Sequence, residues 1–233
     1  MRPLCVIPAR RGSKRLALKN ILPLNGQPMV VYSVKAALES GLFDNVYVSS
    51  EDAEILSIAE QAGAVPHRRP EALADDLVSS TDVCLDVEQV LMTRGEQFDA
   101  IMCLQPSSPL RSAEDIRGSW EQFVASGANY LVSVTPIDPH YFHWAVSEKP
   151  EGWEMYFGTQ FLKERPLLPP VFRPNGSIKI GRSTPLRATK NFFGRPLSVY
   201  VTPEERSIHV ATQIDLCMAE TLLRKQAVVV TSG

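Results

Sequence analysis

Hydrophobic and polar positions along this chain alternate between short and long periods. "LCVIP" at 4–8 is an unbroken apolar run, as expected of a strand covered on both faces. Pro28 then opens a helix with Val30, Val34, Ala37 and Leu38 on one face, and Gly41 ends it. "NVYVSS" at 45–50 reads as a second strand. Asp52 can cap the next helix, where Ile55, Ile58, Ala59 and Ala62 recur at helical spacing before Gly63. A helix over 80–93, a strand at 100–105, a helix over 112–126 and a strand at 130–135 continue the alternation. A strand at 197–202 and a helix from 213, with Leu216, Ala219 and Leu223 inward, close it; "VVVTSG" at the end reads as a tail. The expected class is α/β: a mostly parallel, Rossmann-like sheet with helices on both faces. Ligands of such sheets lie beyond the carboxyl ends of the strands.

Between 136 and 190 the helical periods stop. Prolines (Pro166, Pro169, Pro170, Pro174) and aromatics (Tyr141, Phe142, Trp144, Trp153, Tyr156, Phe157) take over, with short strand candidates such as "NGSIKI" at 175–180. So many aromatics argue against disorder. We read 136–190 as an insertion within one domain spanning 1–233, reaching away from the sheet toward a partner subunit.

Net charge is only −2, but its distribution is uneven. Residues 1–38 carry seven cations and no acid, which points to a local anion site and away from a nucleic-acid surface. Cys5, Cys84, Cys103 and Cys217 are widely spaced, without CxxC or a His/Cys cluster, so reduced core thiols are expected and zinc is not. The apolar stretch at 4–9 is too short for a signal peptide and nothing approaches a membrane span, so a soluble cytoplasmic protein is expected.

The charge concentrates in "IPARRGSKRLALKN" (7–20), directly after the first strand. Pro8-Ala9 fixes the exit, and Gly12-Ser13 permits a tight turn whose N–H groups converge on an anion. Arg and Lys can then clamp phosphate oxygens. The spacing is neither a P-loop nor GxGxxG. "LQPSSPLR" (104–111) comes after another strand: the Gln105 amide both donates and accepts, and Ser107 or Ser108 can cap the next element. "RRPEALADD" (68–76) and "FRPNGSIKI" (172–180) add Arg68, Arg69, Arg173 and Asn175.

Together with "SIHVATQIDL", these segments resemble, in order and spacing over about 3–225, the acylneuraminate cytidylyltransferases (CMP-sialic acid synthetases). The related synthetases for pseudaminic, legionaminic and deoxy-octulosonic acids share the pattern, so the sugar stays open. The resemblance implies a cytoplasmic homodimeric nucleotidyltransferase that transfers CMP from CTP to a nonulosonic acid, with Mg²⁺ or Mn²⁺, for surface-glycan (lipopolysaccharide or capsule) biosynthesis. It assigns Ala9, Arg10, Gly12, Ser13, Lys14, Asn20, Arg69 and Ser80 to the nucleotide. It assigns Gln105, Ser107, Arg111, Arg165, Arg173 and Asn175 to the sugar, and Arg10, Lys19 and Gln105 to catalysis. The insertion becomes the dimerisation arm, with Arg165 acting across the interface.

Two positions depart from the pattern. Where the family carries D-x-D for Mg²⁺, this chain has His209 and Ala211. Three readings are open: metal held by the triphosphate and water with Asp215 assisting; His209 ligating a softer ion or acting on a proton; or a homologue that binds nucleotide and sugar without turnover. His143 stands where sialic acid enzymes commonly carry a lysine near the sugar, which weakens the case for N-acetylneuraminate. A sugar-1-phosphate nucleotidyltransferase would open with a Gly-rich GGxGTR loop, which is not present.

Overall fold

The computed structural model describes residues 1–13, 15–75, 77–164 and 167–231, without the side chains of Phe161 and 226–231. Its centre is strand β1 (Pro3–Pro8), which pairs in parallel with β4 (Val46–Ser50) on one side and β6 (Ala100–Leu104) on the other. β1, β4 and β6 are almost entirely buried, which explains their apolar runs. β5 (Val65–Arg68) extends the sheet beyond β4. Past β6 come β10 (Val171–Arg182), β7 (Tyr130–Ile137) and β11 (Leu197–Val201), completing seven strands in the order β11-β7-β10-β6-β1-β4-β5. Only the two pairings made by β10 are antiparallel, so the expected mostly parallel sheet is found.

Helices cover both faces. On one, α1 (Met29–Ser40), α2 (Ala53–Gln61) and α4 (Ala113–Ser126) press Val30, Val34, Ile55, Ala59, Ile116 and Phe123 against Ile7, Val48, Met102 and Ile180. On the other, α3 (Ser80–Thr93) and α6 (Ser183–Thr189) bury Cys84, Val87, Leu91 and Leu186 against Leu4, Val6, Ile101 and Cys103. Asp52 caps α2 by accepting from the Ile55 N–H, as its sequence position suggests, and Gly41 at φ 67° ends α1. Helix α7 (Gln213–Thr231) continues through most of the expected tail; its Leu216, Ala219 and Leu223 pack with Leu24, Met29 and Leu110. Among the described residues no helix is long and apolar enough to cross a membrane.

The excursion from the sheet is shorter than 136–190. It holds a one-turn helix α5 (Pro139–His143) and a hairpin of β8 (Val146–Lys149) with β9 (Gly152–Met155). The chain is back in the sheet by Val171, because "VFRPNGSIKI" finds open edges on both β6 and β7. Ile178 and Ile180 bury completely there, and no loop does that. Pro174 and Gly176 disguise the strand in the sequence; they sit where the β10–β7 register shifts, and Gly176 has φ 74°. Between strands, the hairpin β2 (Pro23–Leu24) with β3 (Gln27–Pro28) turns the basic loop into α1.

Candidate active site

A cleft opens at the carboxyl ends of β1 and β6, walled by the basic loop, the turn after β6 and the segment leading into α3. Arg10, Gly12, Ser13, Lys19, Asn20, Arg69, Ser80, Gln105 and Ser107 all line it. The topology thus brings together most of the residues singled out above, from four separate stretches. Lys14 and Arg165 lie outside the described residues.

The basic loop divides its charge. The buried Asn20 donates from Nδ2 to the Arg10 carbonyl at 2.7 Å and pins the loop across its width. Lys19 reaches into the cleft while its Nζ donates to the Val210 carbonyl at 3.2 Å. Burial, followed by the charges of Arg15 and Arg10, lowers the Lys19 pKa, and Asp215 offsets part of that shift. Arg11 turns the other way, to Asp52 and Glu54 at the start of α2. Ala9 is fully buried and anchors the root of the loop through its N–H to the Ser49 carbonyl, 2.9 Å; it shapes the site without lining it.

On the facing wall, Arg69 is almost fully buried and donates from Nη2 and Nε to Glu51 Oε2 at 2.7 and 3.1 Å. Burial alone would raise the Glu51 carboxyl, but hydrogen bonds from Arg69 and the Arg11 N–H bring it below the ordinary range. The Ser79–Asp82 capping box fixes the first turn of α3, which places Ser80 at the cleft. Lys179, from β10, donates from Nζ to Ser80 Oγ at 3.0 Å.

Four assignments need correction. Arg111 is buried, and its guanidinium is occupied by the Ser177 carbonyl (2.7 Å) and Ser33 Oγ (2.6 Å), with burial pulling its pKa down to about 10. It braces the turn from inside and does not reach the cleft. Asn175 is likewise interior, bonded to Ser133, Thr202 and Ser207 at 2.6, 2.5 and 3.0 Å, at the register shift of β10. Arg173 lies on the exposed, arm-side part of β10, outside the cleft lining.

The fourth correction concerns metal. Asp215 Oδ2 accepts from the Ala211 and Thr212 N–H groups and Thr212 Oγ1 at 3.0, 2.8 and 2.8 Å, capping α7. His209 sets Nδ1 3.3 Å from Ser107 Oγ. Burial, then the charges of Lys19 and Arg15, push His209 down to about 4, so the imidazole is neutral near pH 7. One neutral ring among cations and one carboxylate committed to a helix cap do not fit a resident Mg²⁺, which needs several oxygen ligands. Among the described residues no three potential ligands gather.

Comparison with known proteins decides the family. The cytidylyltransferase family model matches residues 4–141. The chain belongs to the cytidylyltransferase family. It is therefore classed as a nucleotidyltransferase enzyme. A pseudaminic acid cytidylyltransferase from Campylobacter jejuni is 30% identical over 226 residues, covering 96% of this chain and 97% of that protein. A CMP-N,N'-diacetyllegionaminic acid synthase from Legionella pneumophila is 34% identical, with 96% and 97% covered. An N-acylneuraminate cytidylyltransferase from Streptococcus agalactiae is 32% identical over 92% of this chain but only 52% of its own length. In structure, a CMP:2-keto-3-deoxy-manno-octonic acid synthetase complexed with CTP superposes with TM-score 0.73 at 17% identity, over 97% of this chain and 100% of that one; this likeness speaks to the fold. The comparisons lend no support to the reading of a homologue without turnover.

Two residues of this cytidylyltransferase's site escaped sequence reasoning. Glu51 immediately follows β4, and Lys179 stands between two buried isoleucines of β10. A lone lysine between apolar positions of a strand was the available signal.

Proposed function

We propose that this cytidylyltransferase transfers CMP from CTP to a nonulosonic, sialic-type acid, releasing pyrophosphate, in the cytoplasm and for surface-glycan biosynthesis. The observation that carries the reading is the shared cleft: Arg10, Ser13, Lys19 and Asn20 on one wall, Arg69 and Ser80 on the other, Gln105 between them. The three relatives named above act on pseudaminic, legionaminic and N-acylneuraminic acids by their names, which supports the substrate class.

In this reading the base and ribose lie toward Ser80 and Arg69, and the triphosphate lies along the basic loop. An anomeric hydroxyl of the sugar attacks the α-phosphorus; the bond to the bridging oxygen breaks and pyrophosphate takes the electron pair. Arg10 and Lys19 offset the charge that grows on the departing group, and they do so more effectively because the cleft is partly closed to water. Gln105 orients the sugar, and Arg165 of a second copy is offered to its carboxylate. A divalent cation arrives with the triphosphate. The aromatic arm joins two copies in a homodimer.

Pyrophosphate release from CTP with a panel of pseudaminic, legionaminic, N-acetylneuraminic and deoxy-octulosonic acids tests the proposal. Turnover with at least one nonulosonic acid is expected. Silence across the panel with both Mg²⁺ and Mn²⁺ overturns it.

A further inference from the structure

Lys179 is a cation beside the cleft that the proposed chemistry leaves unused. It is set opposite Cys103 in the β10–β6 pairing, on the α3 side of the sheet, between Ile178 and Ile180, which are fully buried. Its ammonium is half-buried, and no carboxylate pairs with it among the described residues. Its hydrogen bond goes to Ser80 Oγ at 3.0 Å. Placing a cation in such a position costs solvation, and a neutral side chain of similar length would fill the space equally well. A cost of this kind marks a role.

That role emerges from the proton inventory. An ammonium has only protons to give, and a serine hydroxyl has one proton and two lone pairs. Ser80 Oγ must therefore accept from Lys179, which leaves its own proton to donate. The Cys103 thiol lies on the same face of the sheet, opposite Lys179 in the β10–β6 pairing. Thiol sulfur is a weak acceptor. A carbonyl oxygen or ring nitrogen entering the cleft is a stronger one and takes the proton.

We infer that Lys179 is a positioning residue for base recognition: from beneath the sheet end it fixes Ser80 as a hydrogen-bond donor toward ring position 3 of the base. Cytosine and uracil each present two acceptors on that edge, but position 3 is a bare nitrogen in cytosine and an N–H in uracil, so a donor there pairs with the first and opposes the second. The pair thus favours CTP over UTP. The inference rests on the CTP reading above and extends it from the phosphates to the base.

Titration calorimetry of CTP and UTP against the wild type, Lys179→Met, Lys179→Gln, Ser80→Ala and the Lys179→Met/Ser80→Ala double variant tests it, because binding needs no sugar. Lys179→Met is expected to weaken CTP about tenfold and to shrink the CTP-over-UTP preference, while its thermal midpoint holds or rises. Lys179→Gln, which keeps a neutral donor, recovers part of the loss. The double variant is no worse than the poorer single one, since both act through one hydroxyl. An unchanged CTP/UTP preference in both Lys179 variants overturns the inference, as do losses that simply add. A wild type that binds CTP but transfers it to no sugar overturns the function reading and leaves this test intact; a wild type that binds neither nucleotide overturns both.

Discussion

At the scale of single residues, the site is a gathering of cations at the end of β1. Lys19 carries the strongest consequence. Its ammonium is depressed by burial and by neighbouring arginines, and polyphosphate would restore it. Lys19→Met should lower kcat about 100-fold at saturating CTP, measured by pyrophosphate release, with stability kept. His209 makes a different prediction. Its pKa falls from 6.5 unfolded to about 4 folded, so between those values the unfolded chain binds more protons. Stability from this group is present above about pH 6.5 and is lost as pH drops toward 4; His209→Gln should flatten that part of a thermal-midpoint-versus-pH curve. Replacing His209 and Ala211 together by Asp would set two carboxylates beside the Lys19 wall. The half-saturating Mg²⁺ concentration for turnover should then fall, and an unchanged Mg²⁺ titration would count against a cation that arrives with the triphosphate instead of residing in the protein.

Among the elements, helix starts and buried parallel strands were legible because their signals are local. Asp52 and the run "LCVIP" each declare themselves within a few residues, whereas the cap of α4 is Ser112 and not Ser107 or Ser108. β10 was legible only in part, as the short candidate at 175–180, since a proline and a left-handed glycine sit at its bulge and its pairing partners are tens of residues away. For the same reason Asn175 and Arg111 read as ligands: polar residues beside a turn look alike whether they face a cleft or brace a core. What separates them is a set of distant partners, Ser133 and Thr202 for one and Ser33 and Ser177 for the other. α4 shows how such distant contacts matter. Asp115, buried, closes the capping box with Ser112 and also accepts both arms of Arg206 at 2.9 Å. Ser112→Ala should cost about 1 kcal/mol in denaturant unfolding. Asp115→Ala, which leaves the Arg206 guanidinium without its carboxylate as well, should cost about 3 kcal/mol.

Across the whole molecule, the exposed aromatic side chains gather mainly on the arm. Tyr141, Trp153 and Tyr156 are 82, 70 and 64% exposed, whereas Phe142 and Phe157 stack at 4.2 Å to stiffen their base. A stiff limb with bare aromatics suits a protein surface better than water. If the arm joins two copies, Tyr141→Asp with Trp153→Asp should shift sedimentation velocity toward monomer at micromolar concentration while the isolated fold keeps its circular dichroism. The bulge in β10 then acquires a further meaning. Upstream of it, 171–174 follow the limb; downstream, 178–182 keep step with β6, and Asn175 rivets the joint between them. A change in the length or shape of the limb is then absorbed on the near side of that rivet, while the strand beyond it stays in register with β6.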